Sequence, residues 1–588
     1  MNTNFTTIKK GILFLGFALL VNMSVKAATY TAILSGNFSS SASWSGGLIP
    51  PALLSSDDII IPMGINITLD QDQSISGTGS LQVDGTLTGD PGNYLSLTTG
   101  SLSGIGNIIV DSLYTSFTSG YNFSGNLMVD NWTNENAAIS AASTITVDGM
   151  LRLAAGTLDM ASGTLVLNND ATIIVSNGMM INSGGTLTLS NNYHVIYTTA
   201  ATTGIELSGS GLKNITIDIP ASAAVMLSGD LEMKGMLNLI AGSLNLNSRN
   251  LTFGTTGNLQ GIGTISSSSN SDIIINASAG LGNMINFSSG GNTVDDFTIN
   301  LGNSASKVTI NGDLKVAGQL NLQNGMIDMS SGDLSLLTNA TITGGSANSY
   351  VMTGNTGTLS IDVAANSSQT FHVGTAGNYA PAIISANSTS AASKFSVGVN
   401  ADVKQNGTTG INLNDTQPLV NATWHVASSA TANINVDIET RWSAAMEVNS
   451  FDRTKAYLSH YTNGNWDATA SASATAVGSM YGIKRTGVTS FSPFAVFDEN
   501  TSTSVNNIYA ENDISIFPNP ASDALTITFD GNTTGISAGI YNTTGQLLST
   551  TAITGNTTVI NVSALPAGVY YIRIGGATGY GIDKFIKQ

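Results

Sequence analysis

The chain repeats itself at long range, and a repeat of this kind restricts the fold more than any local pattern does. The segment Ile145-Thr-Val-Asp-Gly-Met-Leu-Arg-Leu-Ala-Ala-Gly-Thr-Leu-Asp-Met160 recurs as Leu231-Glu-Met-Lys-Gly-Met-Leu-Asn-Leu-Ile-Ala-Gly-Ser-Leu-Asn-Leu246. A third copy runs from Leu314 to Met329, so the starts at 145, 231 and 314 are offset by 86 and 83 residues. A related strand precedes each copy, at Asn126–Asp130, Asn214–Asp218 and Asp296–Asn300. Within a copy, apolar residues alternate over a few positions before Gly or Asn turns the chain, which is the pattern of short strands with one buried face. Strands this short cannot bury a face alone and must stack on neighbours. The expected fold is all-β, with a right-handed parallel β-solenoid whose coils each take roughly 20–25 residues. Leu151, Leu237 and Leu320 are then equivalent positions facing inward. A string of β-sandwich domains is the rival arrangement. Frequent turns, and polar positions filled by Asn, Ser and Thr that can ladder along a stack, favour the solenoid.

Composition fits that expectation. Only 10% of the 588 residues are charged while 41% are hydrophobic, so the chain can collapse without resembling a disordered polymer. A net charge of −18, with no basic stripe, argues against nucleic acid or an anionic membrane as partner. There is no cysteine, which removes thiol catalysis, Fe–S clusters and Cys-based zinc sites. The glycine pairs at Gly104/Gly106, Gly209/Gly211 and Gly261/Gly263 lack the rest of a phosphate-binding loop and read as coil corners.

Both termini carry export signals. Lys9 and Lys10 precede the apolar run Gly11–Val21, which is too short to span a bilayer, and Val25-Lys-Ala27 offers small residues for cleavage after Ala27. Residues 1–27 are therefore expected to be a signal peptide, leaving a soluble mature chain. At the other end, Phe517-Pro-Asn-Pro-Ala-Ser-Asp523, Gly545-Gln546, Leu565-Pro-Ala-Gly-Val-Tyr570 and Lys584-Phe-Ile-Lys587 punctuate an alternating β pattern. In this order they resemble the type A C-terminal sorting domain of the Bacteroidetes type IX secretion system. The resemblance implies a sorting signal built on Pro518, Asn519, Pro520, Gly545, Gly568, Tyr570, Lys584, Phe585, Ile586 and Lys587. It also implies recognition by the outer-membrane translocon, removal by a sortase-like protease, and attachment to surface lipopolysaccharide or release. The expected destination is the outside of a Gram-negative cell.

The segments between are read as an opening and capping region (28–125), the repeat solenoid (126–384), a β-sandwich (385–498), a polar linker (499–512) and the sorting module (513–588). The opening segment, with Phe38 and Trp44, resembles that of large secreted Bacteroidetes β-solenoid proteins. These two rings are expected to plug the end of the hydrophobic stack.

Chemistry is sparse. Asp148, Asp159, Asp218, Glu232, Asp313 and Asp328 are scattered singly, with few basic neighbours, whereas lyases and glycosidases need clustered carboxylates. His194, His372, His425 and His460 are too far apart for a metal motif. Asp70–Ser74 begins like a Ca²⁺ loop but lacks its later ligands, so no metal or cofactor is expected and Ca²⁺ has only weak support. The Gly-x-Ser-x-Gly match at Gly535–Gly539 has no helix after it. Trp424, Trp442, Trp466 and Tyr461 could form a glycan-stacking platform or fill the sandwich core. The expectation is an adhesin-like or structural surface protein that engages a glycan or matrix ligand. The alternative is a polysaccharide lyase or hydrolase on a β-helix scaffold.

Overall fold

The computed structural model describes residues 27–116, 121–138, 143–329, 331–354, 356–430, 432–499, 514–529, 536–576 and 579–588. The expected signal peptide and linker lie outside these residues, apart from Ala27 and Glu499. Among the described residues the ordered elements are β-strands and a few single 3₁₀ turns, without an α-helix. Two compact units divide the chain, one up to Ser266 and one from Ser267. Both contain stacked parallel coils, about 14 turns in all.

In the first unit, parallel pairing begins with the strand Thr29–Thr31 against Asp58–Ile61, so the opening region already winds as coils. Phe38 and Trp44 are buried in edge-to-face contact with ring centroids 5.0 Å apart. The Trp44 Nε1–H donates to the Phe38 carbonyl at 2.8 Å, which satisfies the indole where water is excluded. Leu151 pairs with Ile173, Ile173 with Val195, Val195 with Ile215, and Ile215 with Leu237. Four coils therefore separate the first two repeat copies, and all five side chains are buried. Alternation places them: strands such as Thr164–Leu167 and Asn66–Leu69 bury every second residue. One part of the repeat differs from its sequence alignment. Asn126–Asp130 stacks on the strand beginning at Thr144, whereas Asn214–Asp218 stacks on Met236–Ala241, the later half of its copy. The first copy runs as one long strand, Thr144–Asp159, without the break found after Met233.

In the second unit Leu320 pairs with Phe297 and Ile342 and is fully buried, but in a different sheet from Leu151 and Leu237, so the third sequence copy does not repeat their stack. In the sheet that holds Asp333–Leu336, parallel pairing ends at the strand Thr358–Val363, while Val351–Met352 still pairs in parallel with Val373–Thr375 in a neighbouring sheet. One edge of Thr358–Val363 is parallel to Asp333–Leu336, and its other edge is antiparallel to Ser393–Asn400. The solenoid wall thus runs directly into an antiparallel sheet that includes Leu419–Ser428, Pro493–Asp498 and Ala456–Thr462. A second antiparallel sheet starts at Ser368–Phe371 and holds Ala382–Ala386, Val436–Ser443 and Met480–Val488. Antiparallel architecture therefore begins before residue 385, because Thr358–Val363 serves both arrangements.

Ladders of small polar side chains follow the coils. Asn126 donates to Asn107 at 3.2 Å, Asn311 to Asn286 at 2.9 Å, and Thr343 to Asn321 at 3.0 Å. Each pair occupies matching positions on successive coils, so an amide satisfies its neighbour without a charge.

Candidate functional site

The C-terminal module consists of a three-stranded antiparallel sheet and a four-stranded one. Leu525, Ile527, Ile540, Ile572, Ile574 and Phe585 form its core. The residues of the tail motif are brought together by the ends of this module. Asn519 Nδ2 donates to the Lys584 carbonyl at 2.9 Å, and the Ile586 amide donates to Asn519 Oδ1 at 2.9 Å. Next to it, the Ala521 amide donates to the Ile586 carbonyl at 2.8 Å, and the Gln588 amide donates to the Ala521 carbonyl at 2.9 Å. The Pro518-Asn519-Pro520 segment therefore clasps the last strand, Gly579–Lys587, by its backbone. Proline fits here because the segment turns and lacks ladder partners at those two positions.

Other motif residues shape the module from inside. Tyr570 is buried, stacks on Phe585 at 5.6 Å, and donates its hydroxyl proton to the Pro566 carbonyl at 2.9 Å. Gly568 starts the strand opposite Lys587. Gly545 adopts φ 82°, a left-handed conformation that glycine takes without strain, in a turn closed by Asn542 Oδ1. Pro518, Asn519, Pro520, Lys584 and Ile586 remain exposed, and Ile586 lies beside exposed Val569 on the sheet's outer face.

The aromatic platform is corrected by burial. Trp424 and Trp442 are 0% exposed and Trp466 is 3% exposed. Each indole is satisfied internally at 2.8 Å, Trp424 by the Ala380 carbonyl, Trp442 by Glu447 Oε1 and Trp466 by the Lys404 carbonyl. Tyr461 is half-buried and packs edge-on against Trp466. The three tryptophan rings fill the antiparallel core and present no stacking face, because a Trp whose N–H finds an acceptor inside gains most by full burial.

The solenoid carboxylates serve local roles. Asp159 accepts from the Ala161 and Ser183 amides and the Ser183 hydroxyl. Burial raises its pKa, but these hydrogen bonds outweigh burial and leave it below the usual carboxylate range. Asp148 binds Asn168, Asp313 accepts from the Asp333 amide, and Glu232 lies 3.7 Å from Lys234. Among the described residues, no three His, Asp or Glu side chains gather as a metal would require. His425 and His460 are held below the usual imidazole pKa chiefly by burial, and His460 stacks on Phe494 at 4.4 Å. His372 is pushed down to about 4 by burial and shares a 2.6 Å hydrogen bond with the Tyr379 hydroxyl. Ser537 opens an antiparallel strand and is paired with Gly575, with no helix after it, so it is not a nucleophile elbow.

One concave feature escaped the sequence. In the second unit the strands Lys307–Asn311, Met326–Asp328, Val351–Met352 and Val373–Thr375 are successive neighbours in one sheet. Met326–Asp328 is buried on both faces, unlike the alternating strands of other coils. Met326, Tyr350 and Met352 form a small hydrophobic cluster of their own, with Tyr379 packed against it. They line a groove of about 440 Å³, which adjoins a second hollow of about 250 Å³ that also touches Lys307 and Met352. Lys307 Nζ lies 2.6 Å from Asp328 Oδ2; the lysine side chain is half exposed and the aspartate is 5% exposed. Asn400, at the end of the strand Ser393–Asn400, lines the smaller hollow, and its Oδ1 is buried without a protein donor. The nearest sequence signal was Met326-Ile-Asp-Met329, an acid in a strand with no polar alternate.

Comparison with known proteins identifies the tail alone. Residues 515–588 match the secretion system C-terminal sorting domain family. No curated protein and no solved structure matches the chain. The chain therefore carries a type IX, type A sorting domain, which engages the secretion machinery and directs the protein out of a Bacteroidetes cell to the surface or the medium.

Proposed function

We propose that the exported body is an adhesin-like binder that holds a cell-surface or matrix glycan without cutting it. In this reading a sortase-like protease removes the tail, and the body is attached to surface lipopolysaccharide or released. The observation that carries the reading is the set of uncharged Asn and Thr pairs that hydrogen-bond between successive coils at three places on the solenoid. Uncharged hydrogen-bonding groups spread along stacked coils favour many weak contacts to a repetitive polymer, whose combined strength greatly exceeds each alone. A lyase or hydrolase would instead need unlike acid and base groups at one place.

The test is to incubate the full chain with insoluble matrix polysaccharides and follow both retention and new sugar ends. Saturable retention without new ends is expected. Release of reducing or unsaturated ends with turnover, abolished by Asp328→Asn, would replace this reading with an enzymatic one.

A further inference from the structure

We propose that two adjoining hollows, the larger lined by Lys307, Met326, Tyr350 and Met352 and the smaller by Lys307, Asp328, Met352 and Asn400, together form a binding site for a neutral saccharide of one or two rings. The inference rests on the reading of the body as a glycan binder and locates one defined site on it.

Three properties select the ligand class. The first is charge balance. Lys307 and Asp328 neutralise one another across 2.6 Å, so the groove has no net charge to hold a free anion or cation. The chain's net charge of −18 further opposes an acidic ligand. The second is the pattern of donors and acceptors. Asn400 Oδ1 is a buried acceptor without a protein donor, which costs free energy until a ligand N–H or O–H reaches it. The Lys307 ammonium carries three N–H groups and spends one on Asp328, leaving donors at the same groove. A hydroxyl group can both donate to an acceptor and accept from an ammonium N–H, and a neutral sugar presents several hydroxyls at fixed spacing.

The third property is the lining. Met326 and Met352 give the larger hollow a polarizable, adaptable apolar lining beside Tyr350, against which the C–H face of a pyranose ring can pack. Tyr350 has already committed its hydroxyl proton to the Thr375 carbonyl at 2.7 Å, so it serves as wall and not as donor. The larger hollow, which holds the methionine lining, has a volume of about 440 Å³, within the usual range for small-ligand pockets, and the smaller one beside Asp328 and Asn400 adds about 250 Å³. If the cluster served only to seat the returning chain, neither a buried acceptor without a partner nor a half-exposed lysine would be needed at its edge.

Calorimetric titration of the full chain with glucose, galactose, N-acetylglucosamine, cellobiose and lactose tests the proposal, with glucuronate as the charged comparison. At least one neutral sugar should bind saturably, and glucuronate should bind at least tenfold more weakly. Asn400→Ala should raise Kd at least tenfold with an unchanged melting curve, and Lys307→Met should raise Kd at least tenfold while melting earlier, because it removes the ion pair of the buried Asp328 carboxylate. Where a variant melts early, the methyl resonances of Met326 and Met352 in the unaltered chain decide, since the bound sugar must shift both. No saturable binding of any neutral probe, binding that survives both substitutions, or unmoved methionine methyls would each overturn the site. A chain that still coats insoluble glycan while those methyls stay unmoved loses the groove but keeps the broader binding role.

Discussion

Asn519 and Ile586, at opposite ends of the sorting module, are joined by a 2.9 Å hydrogen bond from the Ile586 amide to the Asn519 side-chain oxygen. The same side chain holds the Lys584 carbonyl, so one residue closes both groups of an otherwise open strand end. This explains why the Phe-Pro-Asn-Pro segment and the terminal Lys-Phe-Ile-Lys occur together in one motif. Asn519→Ala removes both bonds and should destabilise the module by about 1–3 kcal/mol. Amide hydrogen exchange should then speed up at Ile586, while exchange at Leu151 stays as before. Unaltered protection at Ile586 would show that the clasp contributes nothing.

Leu151, Leu237 and Leu320 hold matching places in the three sequence copies; Leu151 and Leu237 lie in one sheet and Leu320 in another, and none is exposed to solvent. Replacing any one by Asp buries an unpaired carboxylate and should cost about 3–5 kcal/mol. Denaturant unfolding of each variant checks this. Near-native midpoints for all three would contradict the register.

Trp424 makes a stability prediction of the same kind and a binding prediction of the opposite kind. Trp424→Ala should lose about 3–5 kcal/mol, because it opens a cavity and strands the Ala380 carbonyl. Glycan retention per folded molecule should not change, since the ring has no exposed face. Selective loss of retention with an intact melting curve would restore the stacking role.

His372 should make stability depend on pH. Its folded pKa of about 4 lies below the ordinary value of 6.5, so between these values the unfolded chain binds a proton that the folded chain refuses. Stability is therefore complete above about pH 6.5 and falls as the pH drops toward 4, by about 2 kcal/mol after allowing for partial exposure. His425 and His460 are shifted in the same direction and should leave a residual slope. Urea midpoints at pH 7 and pH 4.5 should differ less in His372→Gln than in the unaltered chain. Equal differences in the two proteins would contradict the assignment.

What the sequence revealed and what it hid follow from range. The inward leucines were legible because alternation and the long repeat are both written along the chain, and the tail motif was legible because its residues come in a fixed order. The Trp424, Trp442 and Trp466 environments were not legible, since their acceptors are set by sheet pairing and in two cases lie tens of residues away, at Ala380 and Lys404. The groove was hidden for the same reason. Lys307, Asp328, Met352 and Asn400 come from four separate strands, and no local motif links them. The first repeat was also misaligned in space, because Thr144–Asp159 runs straight where the second copy breaks.

The account depends most on the sorting module carrying the body out of the cell. The direct measurement is surface labelling and fractionation of cells making either the full chain or a chain lacking residues 514–588, with a reporter joined to the two terminal segments alone. The full chain and the reporter should reach the surface or the medium, and the truncated chain should accumulate in the periplasm. Normal surface delivery of the truncated chain would contradict the account.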